Sequence, residues 1–267
     1  MADNETKSAA LTVSHLVKSF KGRNAKDVLK DVSFTLQPGA CAGLVGTSGC
    51  GKSTTARIIA GLETADGGSV SIGAQTFDAT ELGTRERYEH LAMVFQQPEA
   101  SFDPRRTLGW SITEPMRSHG WSRAEIERRT KELLDTVGLP EALLSHYPFE
   151  VSGGQCQRAA IARAVAIRPR VLLCDEVTSA LDVTLQGKIV TLIRALTKEE
   201  QIACLFITHD LPLLAEAADR ILVMDGGRMV EDAATGDLLA HPRSEAAKAL
   251  LAVDFFQMER RTKVHQM

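Results

Sequence analysis

An α/β fold built around a phosphate-binding loop, with an antiparallel β subdomain before it and an α-helical subdomain inserted in it, is predicted by three observations. The string Gly46-Thr47-Ser48-Gly49-Cys50-Gly51-Lys52-Ser53 stands between a short apolar run, Cys41 to Val45, and a helix-like stretch, Ser53 to Leu62. Apolar runs at Leu91 to Phe95, Val171 to Cys174 and Ala203 to Ile207 read as parallel strands buried on both faces. Between them, residues 98–167 carry helical spacing and no strand pattern, the mark of a helical insertion in an α/β core.

Leu11, Val13 and Val17, then Val32, Phe34 and Leu36, alternate at period two, as half-buried antiparallel strands do. Lys21 to Asp27 reads as the polar loop between them, and Gln37-Pro38-Gly39 turns the chain into the strand that feeds the phosphate loop. In the insertion, Arg123 to Val137 and Gln155 to Ile167 have helical spacing. The α/β pattern resumes at Pro169, and Asp225-Gly226-Gly227 makes a hairpin turn between Ile221 to Met224 and Arg228 to Glu231. The expected division is a flexible start (1–10), a nucleotide-binding core (11–97 and 168–231), a helical subdomain (98–167) and a mostly helical tail (232–267).

Composition narrows the classes. The 267 residues carry 34 acidic and 31 basic side chains, a balance that supports neither a nucleic-acid surface nor a polybasic membrane anchor. No apolar run approaches a membrane span, the longest conspicuous one being Ile202 to Ile207, and the polar start Met1 to Ser8 is no signal peptide. The 5 cysteines form no C-x-x-C pair and read as reduced, buried thiols of the cytoplasm. With the histidines they form no metal-ligand cluster.

The chemistry lies in three strings. The glycines of the first let successive backbone amides face the α and β phosphates of a nucleoside triphosphate, and the helix dipole adds positive charge. Lys52 reaches the β and γ phosphates, and the Ser53 hydroxyl holds Mg²⁺. Val171 to Glu176 is an apolar strand ending in two carboxylates, and its carboxyl end opens on the same edge as the loop. Asp175 then reaches the Mg²⁺ shell, while Glu176 polarises a water for in-line attack on the γ phosphate. In Val151-Ser152-Gly153-Gly154-Gln155, a serine N-cap followed by two glycines exposes helix-start amides, a second phosphate-binding feature.

Together these strings resemble the nucleotide-binding cassette of the ATP-binding-cassette family, over about Leu11 to Ala252. The resemblance implies a RecA-like P-loop NTPase core, with ATP and Mg²⁺ as ligands. It implies that Ser152, Gly153, Gly154 and Gln155 cap the ATP of an opposite subunit, that Phe20 stacks on adenine, and that Thr54 joins the phosphate loop in holding the nucleotide. Gln96 would join core to helical subdomain and sense Mg²⁺ and the γ phosphate. Ser179-Ala180-Leu181-Asp182 would cross the dimer interface, and His209 would be the switch histidine at the γ phosphate.

Met93 to Pro98, Asp103-Pro104-Arg105, Glu114-Pro115, Thr178 to Gln186, His241-Pro242 and Ala249-Leu250-Leu251 resemble the peptide and nickel importer branch, and Ser48 to Ser53 with Ala203 to Leu211 look particularly like nickel importers. The branch implies a cassette pair, of like or related chains, on the cytoplasmic side of the inner membrane. Its partners would be permease subunits and, indirectly, an external solute-binding protein; its cargo would be peptides, nickel or a metal-chelate or opine-like solute. A cassette of a soluble phosphonate-cleaving assembly and a soluble non-transport ATPase are the alternatives. Val177 stands where most relatives have proline, Val151 where they have leucine and Cys156 where arginine is common. The cysteine is expected to lower positive charge beside the partner's nucleotide.

Overall fold

The structure, a computed structural model, describes residues 9–21, 26–179 and 181–252. Strands β1 (Leu11–Phe20) and β2 (Lys26–Leu36) pair antiparallel, as their alternation predicts. They form a sheet of order β2-β1-β4-β5 with β4 (Gly67–Ile72) and β5 (Gln75–Asp78). The last two are short and largely polar, so their sequence carries no strong strand signal.

The second sheet has the order β10-β9-β3-β8-β7-β6, from β3 (Cys41–Gly46), β6 (Leu91–Val94), β7 (Val171–Asp175), β8 (Ala203–Ile207), β9 (Arg220–Asp225) and β10 (Arg228–Ala234). All neighbours but β9 and β10 are parallel. Register sets the functional edge, since Leu44 and Asp175 both lie opposite Ile207. The β9–β10 hairpin turns on Gly226 and Gly227 with φ of 52° and 84°, the two positive values a tight primed turn requires.

Even the continuously apolar strands alternate. Leu172, Cys174, Cys204 and Phe206 enter one core, whereas Val171, Leu173, Leu205 and Ile207 enter another across the sheet. The second core is covered by the antiparallel sheet and by α1 (Lys52–Ile59). The first is continuous with the apolar faces of α3 (Leu108–Ser118), α4 (Arg123–Val137) and α5 (Gly153–Val165). A short helix α2 (Arg85–His90) precedes β6.

Helix α4 spans its expected range because a Ser122–Glu125 capping box starts it and Gly138, at φ 63°, ends it. Helix α3 was hidden by Gly109 and Pro115, which sit inside it. Helix α5 starts two residues before Gln155, because Ser152 is its N-cap. Helices α6 (Val183–Glu199), α7 (Leu211–Ala217) and α8 (Thr235–Ala240) follow, and a last helix covers 245–252. β10 itself runs past Glu231 to Ala234. The expected flexible start falls almost wholly outside the described residues, as does the tail beyond 252. Among the described residues no helix is long and apolar enough to cross a membrane. All five cysteines are free and buried.

The last helix is tied down by Glu231, which is buried and accepts from the amides of Arg243 (3.0 Å) and Ser244 (2.7 Å) and from the Ser244 hydroxyl (2.7 Å). Burial pushes this carboxyl up, but the hydrogen bonds from Ser244 and Arg243 outweigh it and hold it below the usual range. A lowered folded pKa gives stability that is present above the ordinary glutamate pKa and lost as pH falls through the folded one. Amide protection over 245–252 should therefore fall on acidification before that of the central sheet. In Glu231→Gln the difference between neutral and acid should vanish, as hydrogen exchange would measure.

Candidate functional site

Gly46 ends β3 against β9, where a Cβ would stand 2.2 Å from the Met224 carbonyl oxygen. Only glycine lets the loop turn there. The chain then wraps through Thr47, Ser48, Gly49, Cys50 and Gly51 into α1, and Lys52 folds back so that its Nζ donates to the carbonyls of Gly46 (2.7 Å) and Thr47 (3.2 Å). Ser53 and Thr54 occupy the first turn of α1. Cys50 is buried, its Sγ 3.9 Å from the Lys52 Nζ.

A cavity of about 260 Å³ opens over the loop, lined by Lys26, Val28, Gly49, Gly51, Lys52, Ser53 and Thr54. Sequence reasoning missed Lys26 and Val28; the return of β2 beside the loop, invisible in the chain order, puts them there. Phe20, at the end of β1, lies directly across from Lys26. Its ring is exposed, with the Lys18 Nζ 4.9 Å from the centroid.

At the same sheet edge Asp175 closes β7. One of its oxygens is buried with no hydrogen-bond partner. Burial pushes its carboxyl up and the Glu176 charge adds to this, while Arg57 and Lys52 oppose it. Such an oxygen fits a cation, the group that would satisfy it without a proton.

Glu176 takes a left-handed backbone, φ 47°, with its amide donating to Ile207 O at 2.9 Å. That conformation costs a non-glycine residue about 1–2 kcal/mol and turns the side chain off the strand path. Its carboxylate accepts from Gln96 Nε2 at 3.1 Å and faces His209 Nδ1 at 3.4 Å. Gln96 Nε2 also lies 3.1 Å from the Ser179 hydroxyl oxygen. Gln96 and His209, distant in sequence, thus meet Glu176 and Ser179 beside Asp175. Val177, at the usual proline position, is buried in the core.

The second anion-receptive feature lies elsewhere. Ser152 Oγ accepts from the Gln155 amide, and Gln155 Oε1 accepts from the Ser152 amide. This capping box leaves the Gly153 and Gly154 amides at the bare start of α5. A Cβ at Gly154 would collide with Leu185 Cδ2 at 2.4 Å, while one at Gly153 would meet only Glu99 Oε1 at 3.8 Å. Gly154 is fixed by packing, whereas Gly153 faces open space. None of the described contacts joins this helix start to the chain's own phosphate loop.

The Cys156 side chain is fully buried in the helical segment, and burial, with the Glu99 charge, pushes its thiol up to about 11. Its spacing with Ala159 and Ala160 on the buried face was the available signal. Val151 packs at the edge of the same core. Asp182 caps α6, its Oδ1 accepting from Leu185 N at 2.9 Å; Ala180, in the same loop, lies outside the described residues.

A phosphate loop on a parallel sheet, with two carboxylates at the neighbouring strand end, defines a P-loop nucleotide-binding ATPase. The ABC transporter family matches residues 29–179, more than half of the chain. An oligopeptide transport ATP-binding protein of Haemophilus influenzae is 37% identical over 99% of this chain and 84% of its own length. A nickel import ATP-binding protein of Shigella dysenteriae is 39% identical over 91% of this chain and 92% of its own. A solved dimeric ATP-binding cassette, bound to ADP and phosphate after hydrolysis, superposes with TM-score 0.74 at 30% identity, covering 84% of this chain and 98% of that one. The chain belongs to the ATP-binding-cassette transporter family and is one of its ATP-binding, ATP-hydrolysing importer subunits.

Proposed function

We propose that this chain drives uptake of a peptide, nickel or a metal-chelate or opine-like solute, from the cytoplasmic side of the inner membrane, through a permease fed by an external solute-binding protein. One juxtaposition carries the reading: the phosphate loop, Asp175, Glu176, Gln96 and His209 gather at one sheet edge, while the Ser152 helix start shares no described contact with that loop. One chain thus supplies halves of two sites. Two cassettes face to face complete both, Ser152, Gly153, Gly154 and Gln155 of each meeting the ATP on the other, with Asp182 in the loop between them. Relatives named for oligopeptide transport and nickel import support the cargo class.

Closing from 1:99 to 99:1 takes roughly 5.5 kcal/mol of differential binding. Hydrogen bonds to charged phosphate oxygens, at about 1.5–3 kcal/mol each, supply that from two nucleotides. Phe20 stacks on the adenine; Gly46 to Gly51 give amides and Lys52 a charge to the phosphates. Ser53, Asp175 and the amide oxygen of Gln96 would hold Mg²⁺, an all-oxygen donor set suited to that ion. When bound, that ion neutralises charge on the phosphates. Glu176 takes the proton of the attacking water, and His209 steadies the γ phosphate.

Gln96 has a route to the other site. Five residues on, Ser101 accepts twice from Arg163 of α5, at 2.7 and 3.0 Å, so the Ser101 to Arg106 segment, offered to a permease helix, is tied to the helix that Ser152 starts.

The tagged chain should be recovered from membranes with a permease pair and hydrolyse ATP faster when the solute-loaded binding protein is added. Recovery with soluble phosphonate-cleaving enzymes, or with neither partner, would overturn the transport reading. Replacing Gly153 by tryptophan should leave folding and monomeric ATP binding intact, since its Cβ direction is open, but prevent ATP-dependent pairing. Equal loss of ATP binding in dilute monomer would instead put this helix at the chain's own nucleotide.

A further inference from the structure

Two chain crossings join the helical segment to the α/β core, one just before Pro98 and one between Val165 and Val171. A body held at two points turns most easily about the line through them. The first crossing carries Gln96. The second is gripped by Arg129 of α4, whose side chain is 5% exposed. Its Nη2 donates to both oxygens of Glu200, at 2.8 and 2.9 Å, and to Val165 O at 2.9 Å; its Nε donates to Ala166 O at 3.2 Å.

Glu200 caps α6, which packs on the sheet, so one guanidinium ties three helices: α4, the carboxyl end of α5 and the end of α6. Arg168, between the strands of this knot, lies 3.6 Å from Glu132 of α4 and 3.8 Å from Glu200. Between α4 and α6 the two bodies part into a groove of about 620 Å³, lined by Asp135 to Gly138 on one side and Leu185 to Glu199 on the other. At the other end of the segment the contact from Arg85 to Ser118 O is exposed, and His119 Nε2 lies 4.0 Å from Glu89 Oε1 with both side chains half-buried.

We propose that Arg129, with Glu200, is the pivot on which α5 turns: a positioning residue that fixes the second crossing while the α4–α6 groove changes width. A planar fork satisfying helix-end carbonyls and a carboxylate together can hold an orientation that a lysine ammonium cannot reproduce. Because it lies outside the phosphate loop, its loss should loosen the helical segment without touching nucleotide contacts. The inference rests on the closure proposed above.

The test places spin labels at Thr136→Cys and Thr191→Cys, exposed residues on opposite walls of the groove, in the full chain, where the native cysteines are buried. Without nucleotide the parent should give a narrow distance distribution, and Arg129→Met one about twofold broader, as a released hinge does. Arg129→Lys should remain broad, and Glu200→Gln, which keeps its size if the methionine variant fails to fold, should broaden too. Affinity of the monomer for a fluorescent ATP analogue should stay within about twofold, as distant sites are independent. A distribution as narrow as the parent's in both Arg129→Met and Glu200→Gln, or an equal loss of nucleotide affinity, overturns the pivot. Broad variants beside a Glu176→Gln parent whose distance ignores ATP would instead uphold the pivot and remove the closure.

Discussion

Glu176→Gln should bind ATP, close with its partner cassette and stay closed. Glutamine keeps the length of the side chain and an oxygen for Gln96 Nε2, which lies 3.1 Å from the carboxylate. It also adopts the left-handed backbone at φ 47° no less readily than glutamate, so the loop geometry survives. What disappears is the negative charge proposed to receive the water's proton, and positioned bases of this kind contribute about 10² to 10⁴ in rate. Phosphate release should fall by that factor, while an ATP-dependent shift to dimer mobility appears on size exclusion, alone or with the natural partner. Turnover at the parental rate in the same assembly would pass the role of base to His209.

Lys52→Ala should end hydrolysis for a different reason. Its Nζ rests on the Gly46 and Thr47 carbonyls, 2.7 and 3.2 Å away, and is therefore held at the loop rim before any phosphate arrives. Removing it deletes the charged donor proposed for the β and γ oxygens, each such bond being worth about 1.5–3 kcal/mol, so ATP affinity should drop by about one to two orders of magnitude. Losing a donor aimed at developing charge costs about a further 10² to 10³ in rate. It also removes one of the two cations that restrain Asp175, whose carboxyl should rise further. Calorimetric titration and phosphate release check both, and near-parental release from a folded variant would remove the loop from its role.

Features carried by local chemistry were legible in the chain. The glycine string, the apolar strand ending in Asp175 and Glu176, and the capping box at Ser152 each declare themselves within a few residues. Long-range pairing did not. Lys26 reaches the loop only because β2 folds back beside it, Glu231 meets Ser244 across helix α8, and Arg129 finds Glu200 71 positions away. Helix α3 was masked by its own Pro115, and the inward aim of Cys156 needed helix phase, not motif position.

Phe102, Ile112, Leu133 and Ile161 of the helical segment share one unbroken apolar core with Leu172, Cys174 and Phe206 of the sheet. A swing of many degrees would drag that oil into water, at about 25 cal/mol for each Å² exposed. The turn about Arg129 proposed above must then be of small amplitude, with side chains sliding past one another inside a sealed interior. The same seam binds the fate of the two parts in unfolding: heat should melt the segment and the sheet in a single cooperative step, with no stage at which a detached helical bundle survives alone.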